Sequence, residues 1–427
     1  MSQSGQERVP PATVVDRGQM SDIARQGENS GPAEARTGFT HLTLTAFRNY
    51  RQVALDLDQR PVVLTGANGA GKTNLLEAIS FLAPGSGFRQ AKLAEVDCRT
   101  TGNQGEMAWA VHARLQTPQG EHLLGTGRDP LGPAQIGRDR RLQRLNGAPL
   151  RSRAGFAEIL SVQWLTPQMD RLLGDATGSR RRFLDRLVAG IDPGQATRLN
   201  SYETALRERA KLLRGELTAG AAEIAAWLGG LEAEIAGLAV AIAAARNDTV
   251  ARLNDFMAGT AGDIFPLAGL EIDGAVETWL KEMPALAAED RLRDCLAAAR
   301  AEDAASGTTR WGTHRSDLAV SYLGRALGDA ALAAADCSTG EQKALLLSII
   351  LAQARLTRYL RGQAPVLLLD EALAHLDNGR RQALFEIVLD LGAQAWLTGT
   401  ERDWFKPLAG AAQSFAVADG KVAQAAL

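Results

Sequence analysis

The stretch Pro61-Val62-Val63-Leu64-Thr65-Gly66-Ala67-Asn68-Gly69-Ala70-Gly71-Lys72-Thr73-Asn74-Leu75-Leu76-Glu77-Ala78-Ile79-Ser80 decides the fold. A short apolar run enters a glycine-rich turn, and helix-forming residues begin directly after Lys72-Thr73. Gly66, Gly71, Lys72 and Thr73 satisfy G-x-x-x-x-G-K-[ST] in a strand–loop–helix setting. Small residues at Gly66, Ala67, Gly69, Ala70 and Gly71 let main-chain N–H groups curl around a triphosphate without Cβ clashes, with Asn68 and Asn74 completing the cradle. The following helix adds partial positive charge at its N-terminus. Lys72 is placed to reach the β- and γ-phosphates, and Thr73 to set its hydroxyl on Mg²⁺. The alternative, an ordinary glycine-rich turn, does not account for four fixed residues with agreeing flanks.

On either side the pattern stays α/β. Leu42 and Leu44, then Val53, Leu55 and Leu57, alternate as two strands joined at residues 46–50. Residues 107–115 and 121–125 read as further strands, and Asn146-Gly147 as a hairpin turn. Beyond Thr166 the composition turns helical, over 202–217 and 221–256. Leu206, Leu212 and Leu213 are expected to pack against Trp227, Leu231 and Leu238 as an antiparallel pair, although Gly229-Gly230 and Gly237 interrupt any heptad. After Gly307 the α/β character returns.

There Val366-Leu367-Leu368-Leu369-Asp370-Glu371 predicts a buried strand that begins after Pro365 and delivers two acids at its C-terminal end. Asp370 is the expected metal-shell ligand and Glu371 the group that polarises the attacking water. A last strand is expected at 395–398. Ser338-Thr339-Gly340-Glu341 precedes an unbroken helical run, putting a hydroxyl and a bare main chain at a helix N-terminus, either as an anion site or as a simple N-cap.

The 427 residues, 45% hydrophobic, suffice for a sizeable core and two or three domains. Cys98, Cys295 and Cys337 show no C-x-x-C spacing, which points to free thiols in a reducing compartment. No apolar stretch is read as reaching the roughly 20 residues of a bilayer span. The expectation is a cytoplasmic chain with no membrane partner. Residues 1–38 are polar and lack aromatics, and are expected to form a disordered tail. The net charge of −2 hides an island: residues 138–214 hold 16 Lys+Arg against 8 Asp+Glu. Arg140, Arg141, Arg151, Arg153, Arg180, Arg181 and Arg182 are its candidates for sequence-independent contact with a DNA backbone, a solvated helical face being the alternative.

Several segments in order resemble the RecF family, DNA-repair ATPases of the SMC-like branch of ABC ATPases. They are Leu44-Thr45-Ala46-Phe47-Arg48-Asn49-Tyr50, the phosphate loop, Arg89, Arg144-Leu145-Asn146-Gly147 and Arg180-Arg181-Arg182-Phe183-Leu184-Asp185. Gly312-Thr313-His314-Arg315-Ser316-Asp317-Leu318, the Ser338 segment, the Asp370 strand and His375-Leu376-Asp377 complete the set. The resemblance implies an α/β fold, an ABC-type P-loop ATPase lobe with a mixed sheet interrupted by an inserted helical arm. Its expected divisions are a tail over 1–38, lobe over 39–165, arm over 166–300 and lobe again over 301–427. It also implies ATP and Mg²⁺ as cofactors, an ATP-dependent homodimer in which Ser338 and Gly340 close on the partner's nucleotide, and weak DNA-stimulated hydrolysis. Implied partners are single-stranded and gapped or junction DNA and recombination mediator proteins. Two departures stand out. Glu341-Gln342-Lys343 replaces a Gln-Gln-Arg common in the family, and Trp164-Leu165-Thr166-Pro167-Gln168-Met169 replaces its usual Phe-Ser-Pro-Glu-Asp-Leu, leaving Gln168 or a plain loop to couple metal and arm. Competing readings are the nucleotide-binding subunit of a transporter, whose signature lies far closer to its phosphate loop, and an ATP-binding interaction protein that does not hydrolyse. His314-Arg315 is left between a nucleotide role and a dimer contact.

Overall fold

The computed structural model describes residues 36–98, 107–129, 140–150, 155–216, 220–259, 264–327 and 330–427. A six-stranded sheet carries the chemistry. Its order is β15 (Lys421–Gln424), β14 (Gln413–Ala418), β3 (Val62–Thr65), β13 (Ala395–Gly399), β12 (Val366–Leu369) and β8 (Val162–Leu165), all parallel except the β14–β15 hairpin. Both faces are covered, so β3 and β12 are buried at every position, which is why they read as unbroken apolar runs.

One face packs α1 (Lys72–Ser80) and a second, antiparallel sheet. That sheet runs β2 (Tyr50–Asp56), β1 (Gly38–Phe47), β4 (Ala110–Thr117), β5 (Gly120–Arg128), β6 (Arg141–Leu145) and β7 (Ala148–Pro149). Leu42, Leu44, Val53, Leu55, Val111 and Leu115 alternate inward to meet Leu75, Leu76 and Ile79 of α1. Phe47, Phe81 and Trp109 close this core edge to face, with Phe47 5.9 Å from Phe81 and 5.7 Å from Trp109. The expected turns at 46–50 and at Asn146-Gly147 both close hairpins, Phe47 opposite Tyr50 and Leu145 opposite Ala148. The opposite face of the parallel sheet packs α2 (Thr177–Ile191).

The inserted helices are α3 (Gln195–Leu213), α4 (Ala221–Gly259), α5 (Ala275–Glu282), α6 (Ala285–Ala298) and α7 (Arg300–Ser306). As expected, α3 and α4 form a pair, and Leu212 and Leu231 are buried in it. Trp227 is not; it stands 45% exposed. Helix α4 runs through Gly229, Gly230 and Gly237 without a break, because its packing offsets a penalty of about 1 kcal/mol per glycine. It is also long and apolar enough to cross a membrane by length and composition, contrary to the sequence reading. Here Leu231, Ile235, Ala239, Ile242 and Ala243 spend that apolar surface on the arm's core.

Other expectations need correction. The arm is not purely helical, since β9 (Ala268–Asp273) pairs with β10 (Asp317–Leu327), which in turn pairs with β11 (Ala330–Ala333), stitching across the expected boundary at 300. The strand at 395–398 is not the last, for β14 and β15 follow it. Residues 1–35 of the expected tail lie outside the described residues, but Thr37 is buried and Gly38 opens β1, so the lobe begins earlier than 39. The final helices are α8 (Thr339–Arg361) and α9 (Asn378–Asp390); α8 stops at Gly362, whose φ of 67° suits glycine.

Two buried arginines fasten the arm. Arg209 reaches Glu232 at 3.1 Å and Asp303 at 2.7 Å. Arg246 holds Asp185 of α2 through two bonds of 2.9 Å, Glu277 of α5 at 2.9 Å and the Thr313 carbonyl at 2.8 Å. Arg246→Met is expected to cost about 3–5 kcal/mol, since it strands two acids in the interior. Urea unfolding checks this, and a loss below about 1 kcal/mol would contradict the role given to Arg246.

Candidate nucleotide site

The site is assembled at the C-terminal ends of β3, β13 and β12, the edge where parallel α/β sheets bind ligands. From β3 the chain enters the loop at Gly66, and its geometry shows why glycine is required. A Cβ on Gly66 would lie 2.2 Å from the Val417 carbonyl oxygen, and one on Gly71, at φ 117°, would lie 2.5 Å from Asn49 Nδ2. Ala67, Asn68 and Gly69 face solvent at the loop's outer rim. The loop's back is held by the β1–β2 turn. Asn49 donates to the Ala70 carbonyl at 3.2 Å and accepts from Asn74 at 2.8 Å, while the Tyr50 hydroxyl donates to the Gly71 carbonyl at 3.0 Å. Buried Glu77 of α1 binds Arg48 through two bonds and Arg89 through one of 2.7 Å, and Arg89 also reaches Asn74. Arg48, Asn49, Tyr50 and Arg89 thus brace the phosphate loop and its helix from behind.

Lys72, 4% exposed, donates to the carbonyls of Gly66 at 2.6 Å and Ala67 at 2.9 Å. Burial pulls its ammonium down from the ordinary lysine range, opposed by the charges of Glu371 and Asp370. Thr73 donates to Asp370 Oδ1 at 3.0 Å, across 297 positions of sequence. The middle strand supplies a residue that the sequence reading missed: the Thr398 hydroxyl, at the end of β13, donates to the same Asp370 oxygen at 2.8 Å and accepts from the Glu371 N–H at 2.8 Å. Desolvation holds the Asp370 carboxyl above the usual carboxylate range despite both hydroxyls. Glu371 is half-buried with φ 49°, a strained conformation for a side-chain-bearing residue. Thr73 and Asp370 thus offer hard oxygen donors side by side at the loop's lip, a donor set that fits Mg²⁺.

Ser338 is exposed at the start of α8. It caps that helix in a reciprocal box: the Glu341 N–H donates to Ser338 Oγ at 3.4 Å, and Ser338 N–H donates to Glu341 Oε2 at 2.9 Å. The space beside Gly340 is open. The simple N-cap is thus what the structure shows at this terminus, which is left exposed. Gln168 is exposed, and the residue of that turn which faces the acids is Asp170, whose carboxylate lies 3.7 Å from Lys343. Leu376 is buried, while His375 and Asp377 are exposed. His314 is half-buried and Arg315 exposed, and both anchor to the main chain of Thr309. His314 Nε2 donates to the Thr309 carbonyl at 2.8 Å, so its Nδ1 is the acceptor for the Tyr202 hydroxyl at 2.9 Å, and Arg315 also binds the Thr309 carbonyl.

The basic island is divided: Arg207, Lys211 and Arg214 are exposed and Arg209 is buried, while several of the candidate arginines are engaged within the fold. Arg180 pairs with Asp317, and Arg181 donates to the Ser316 carbonyl at 2.9 Å. Arg141 stacks 5.3 Å from the Phe81 ring centroid and donates to Thr126 at 2.8 Å. Arg180 and Arg181 thus join α2 to the start of β10. Arg140 and Arg182 are exposed, as are Arg144 and Arg171 of the same stretch, while Arg151 and Arg153 lie outside the described residues.

Fold and loop together define a phosphate-loop nucleotide-binding protein with a split α/β lobe. The RecF/RecN/SMC N terminal domain family model matches residues 39–418. A DNA replication and repair protein RecF of Mesorhizobium japonicum is 46% identical over 390 residues, 91% of this chain and 98% of that protein. Its counterpart in Rhizobium meliloti is 44% identical over 384 residues, 90% of this chain and 98% of that one. The chain belongs to the RecF family of DNA replication and repair proteins, within the SMC-like ATPases. In fold it is similar to two solved structures of the recombination mediator protein RecF in the RecFOR pathway. RecF-ATP has a TM-score of 0.76, with 93% of this chain and 100% of that chain covered; RecF-ATPrS has 0.75, covering 92% and 99%, each at 22% identity. Family membership removes the transporter reading.

One consequence concerns acid. Burial pulls the His314 imidazole down to about 4 from 6.5, so the fold keeps it neutral while the unfolded chain takes up a proton. Its contribution is fully present above pH 6.5 and is lost as pH falls toward 4, about 3 kcal/mol in all. His314→Gln keeps a donor and an acceptor and should flatten the melting temperature between pH 6.5 and 4; an unchanged acid slope would contradict this.

Proposed function

We propose that this chain is an ATP-gated DNA clamp of recombinational repair. Two protomers close face to face, each phosphate loop presenting ATP to Ser338 and Gly340 of the other, and slow hydrolysis releases them from gapped or junction DNA. The observation that carries the reading is the 3.0 Å contact between Thr73 and Asp370 in a chain whose Ser338 helix terminus faces outward. A terminus so placed is open to a phosphate held by a second copy. The ATP and ATPrS of the structural neighbours, and their place in a mediator pathway, support the choice of nucleotide and of recombination mediators as partners.

In this mechanism Lys72 exchanges two neutral main-chain carbonyls for the anionic β- and γ-phosphate oxygens, so both partners of the new bonds are charged. Thr73 and Asp370 would hold Mg²⁺, which when bound neutralises charge on those phosphates. Thr398 fixes both the Asp370 carboxylate and the Glu371 main chain, so the Glu371 carboxylate is aimed at an attacking water by a frame already built. DNA contact falls to the exposed Arg140, Arg144, Arg171 and Arg182, which would meet phosphates without reading bases.

Lys72→Ala removes bonds worth about 1.5–3 kcal/mol each, a loss of roughly tenfold or more in ATP affinity per bond. Nucleotide titration checks it, and wild-type affinity would refute the site. Glu371→Gln should accumulate as an ATP-bound dimer in the ultracentrifuge. A variant that stays monomeric with ATP, or one that hydrolyses at the wild-type rate, would refute the clamp or the role of Glu371 respectively.

A further inference from the structure

Three segments converge on Lys343, a residue of the first turns of α8. Its Nζ donates to the main-chain oxygen of Glu371 at 2.9 Å and lies 3.7 Å from Asp170 Oδ2. The side chain is 3% exposed. An ammonium removed from water to that degree persists only with compensating oxygens, and these two supply them. Asp170 follows the turn Pro167–Met169 at the end of β8, and its other oxygen is buried with no hydrogen-bond partner among the described residues. Glu371 holds its left-handed φ of 49° with its peptide gripped at both ends, the N–H by Thr398 of β13 and the carbonyl by Lys343 of α8. A main chain in that region stays put only where its surroundings over-determine it. Lys343 is one of the two side chains that do so, and it rides on the helix whose cap is Ser338.

We infer that Lys343 is a positioning residue for hydrolysis. By holding the Glu371 carbonyl it sets the direction of the Glu371 carboxylate. Because it shares α8 with Ser338, a phosphate docking on that helix terminus bears on the hydrolytic acid of the same chain. Asp170 supplies the carboxylate that pairs with Lys343 in this buried place. The inference rests on the clamp reading, in which Ser338 meets the partner's ATP and Glu371 acts on the chain's own.

The test compares Lys343→Met, Lys343→Arg and the double variant Asp170→Asn/Lys343→Met. ATP affinity, ATP-dependent dimer mass, melting temperature and kcat are measured on each. Lys343→Met should keep ATP affinity and dimerisation within about threefold of wild type while kcat falls tenfold or more, a split expected of a group that acts after binding. Lys343→Arg, which restores a buried donor, should return kcat to within about threefold. The double variant leaves no unpaired buried charge, so it should recover the wild-type melting temperature yet remain slow. Wild-type kcat in Lys343→Met, or recovery of kcat in the double variant, would overturn the inference, the latter by showing that Lys343 merely neutralises Asp170. Failure of the clamp reading registers separately, as a wild-type chain that stays monomeric with ATP; the kcat ratio of Lys343→Met to wild type still decides the role of Lys343.

Discussion

A single carboxylate oxygen joins the two halves of this chain. Asp370 Oδ1 accepts from Thr73 at 3.0 Å and from Thr398 at 2.8 Å, so the start of α1 and the ends of β13 and β12 meet at one atom. Everything inserted between residues 73 and 370 must leave that junction in place. The parallel sheet achieves this by burying β3 and β12 on both faces, which fixes their register, and by setting β13 between them. The arm can then be large without disturbing the site, because α3 to α6 build a core of their own, while Val250, Leu253 and Phe256 of α4 join the lobe's core and Arg246 and the Arg180–Asp317 pair add polar fastenings.

The same junction sets the two acids in different surroundings. Asp370, buried and gripped by hydroxyls, has no freedom to swing and is suited to hold a cation. Glu371, one residue on, leaves the strand with a left-handed main chain. Strain of that kind costs of order 1–3 kcal/mol and collects where function demands a direction that the backbone would not choose. Thr398 and Lys343 are the structure's answer to that cost.

Much of this was legible in the amino-acid order, and the pattern of success is physical. The phosphate loop and the Val366–Glu371 strand are contiguous, so spacing alone reveals them. Thr398 was invisible because a lone threonine at a strand end carries no pattern, and its role exists only once β13 lies between β3 and β12. Arg180 and Arg181 were taken for a DNA-facing stripe because a charge run without its partners looks solvated; Asp317 and Ser316 lie more than a hundred residues away. The short strands β9, β14 and β15 were missed for another reason, as each is only four to six residues long amid alanine-rich segments.

The central claim is that each ATP is shared, Lys72 coming from one protomer and Ser338 from the other. Mixing two crippled chains tests it most directly. Lys72→Ala and Ser338→Arg protomers should each fail alone to dimerise on ATP or to hydrolyse it. Combined, they form a heterodimer with one intact composite site, and ATP-dependent association and hydrolysis should return to up to about half the wild-type level. A mixture no better than its components, or a Ser338→Arg chain that hydrolyses ATP normally by itself, would contradict the account.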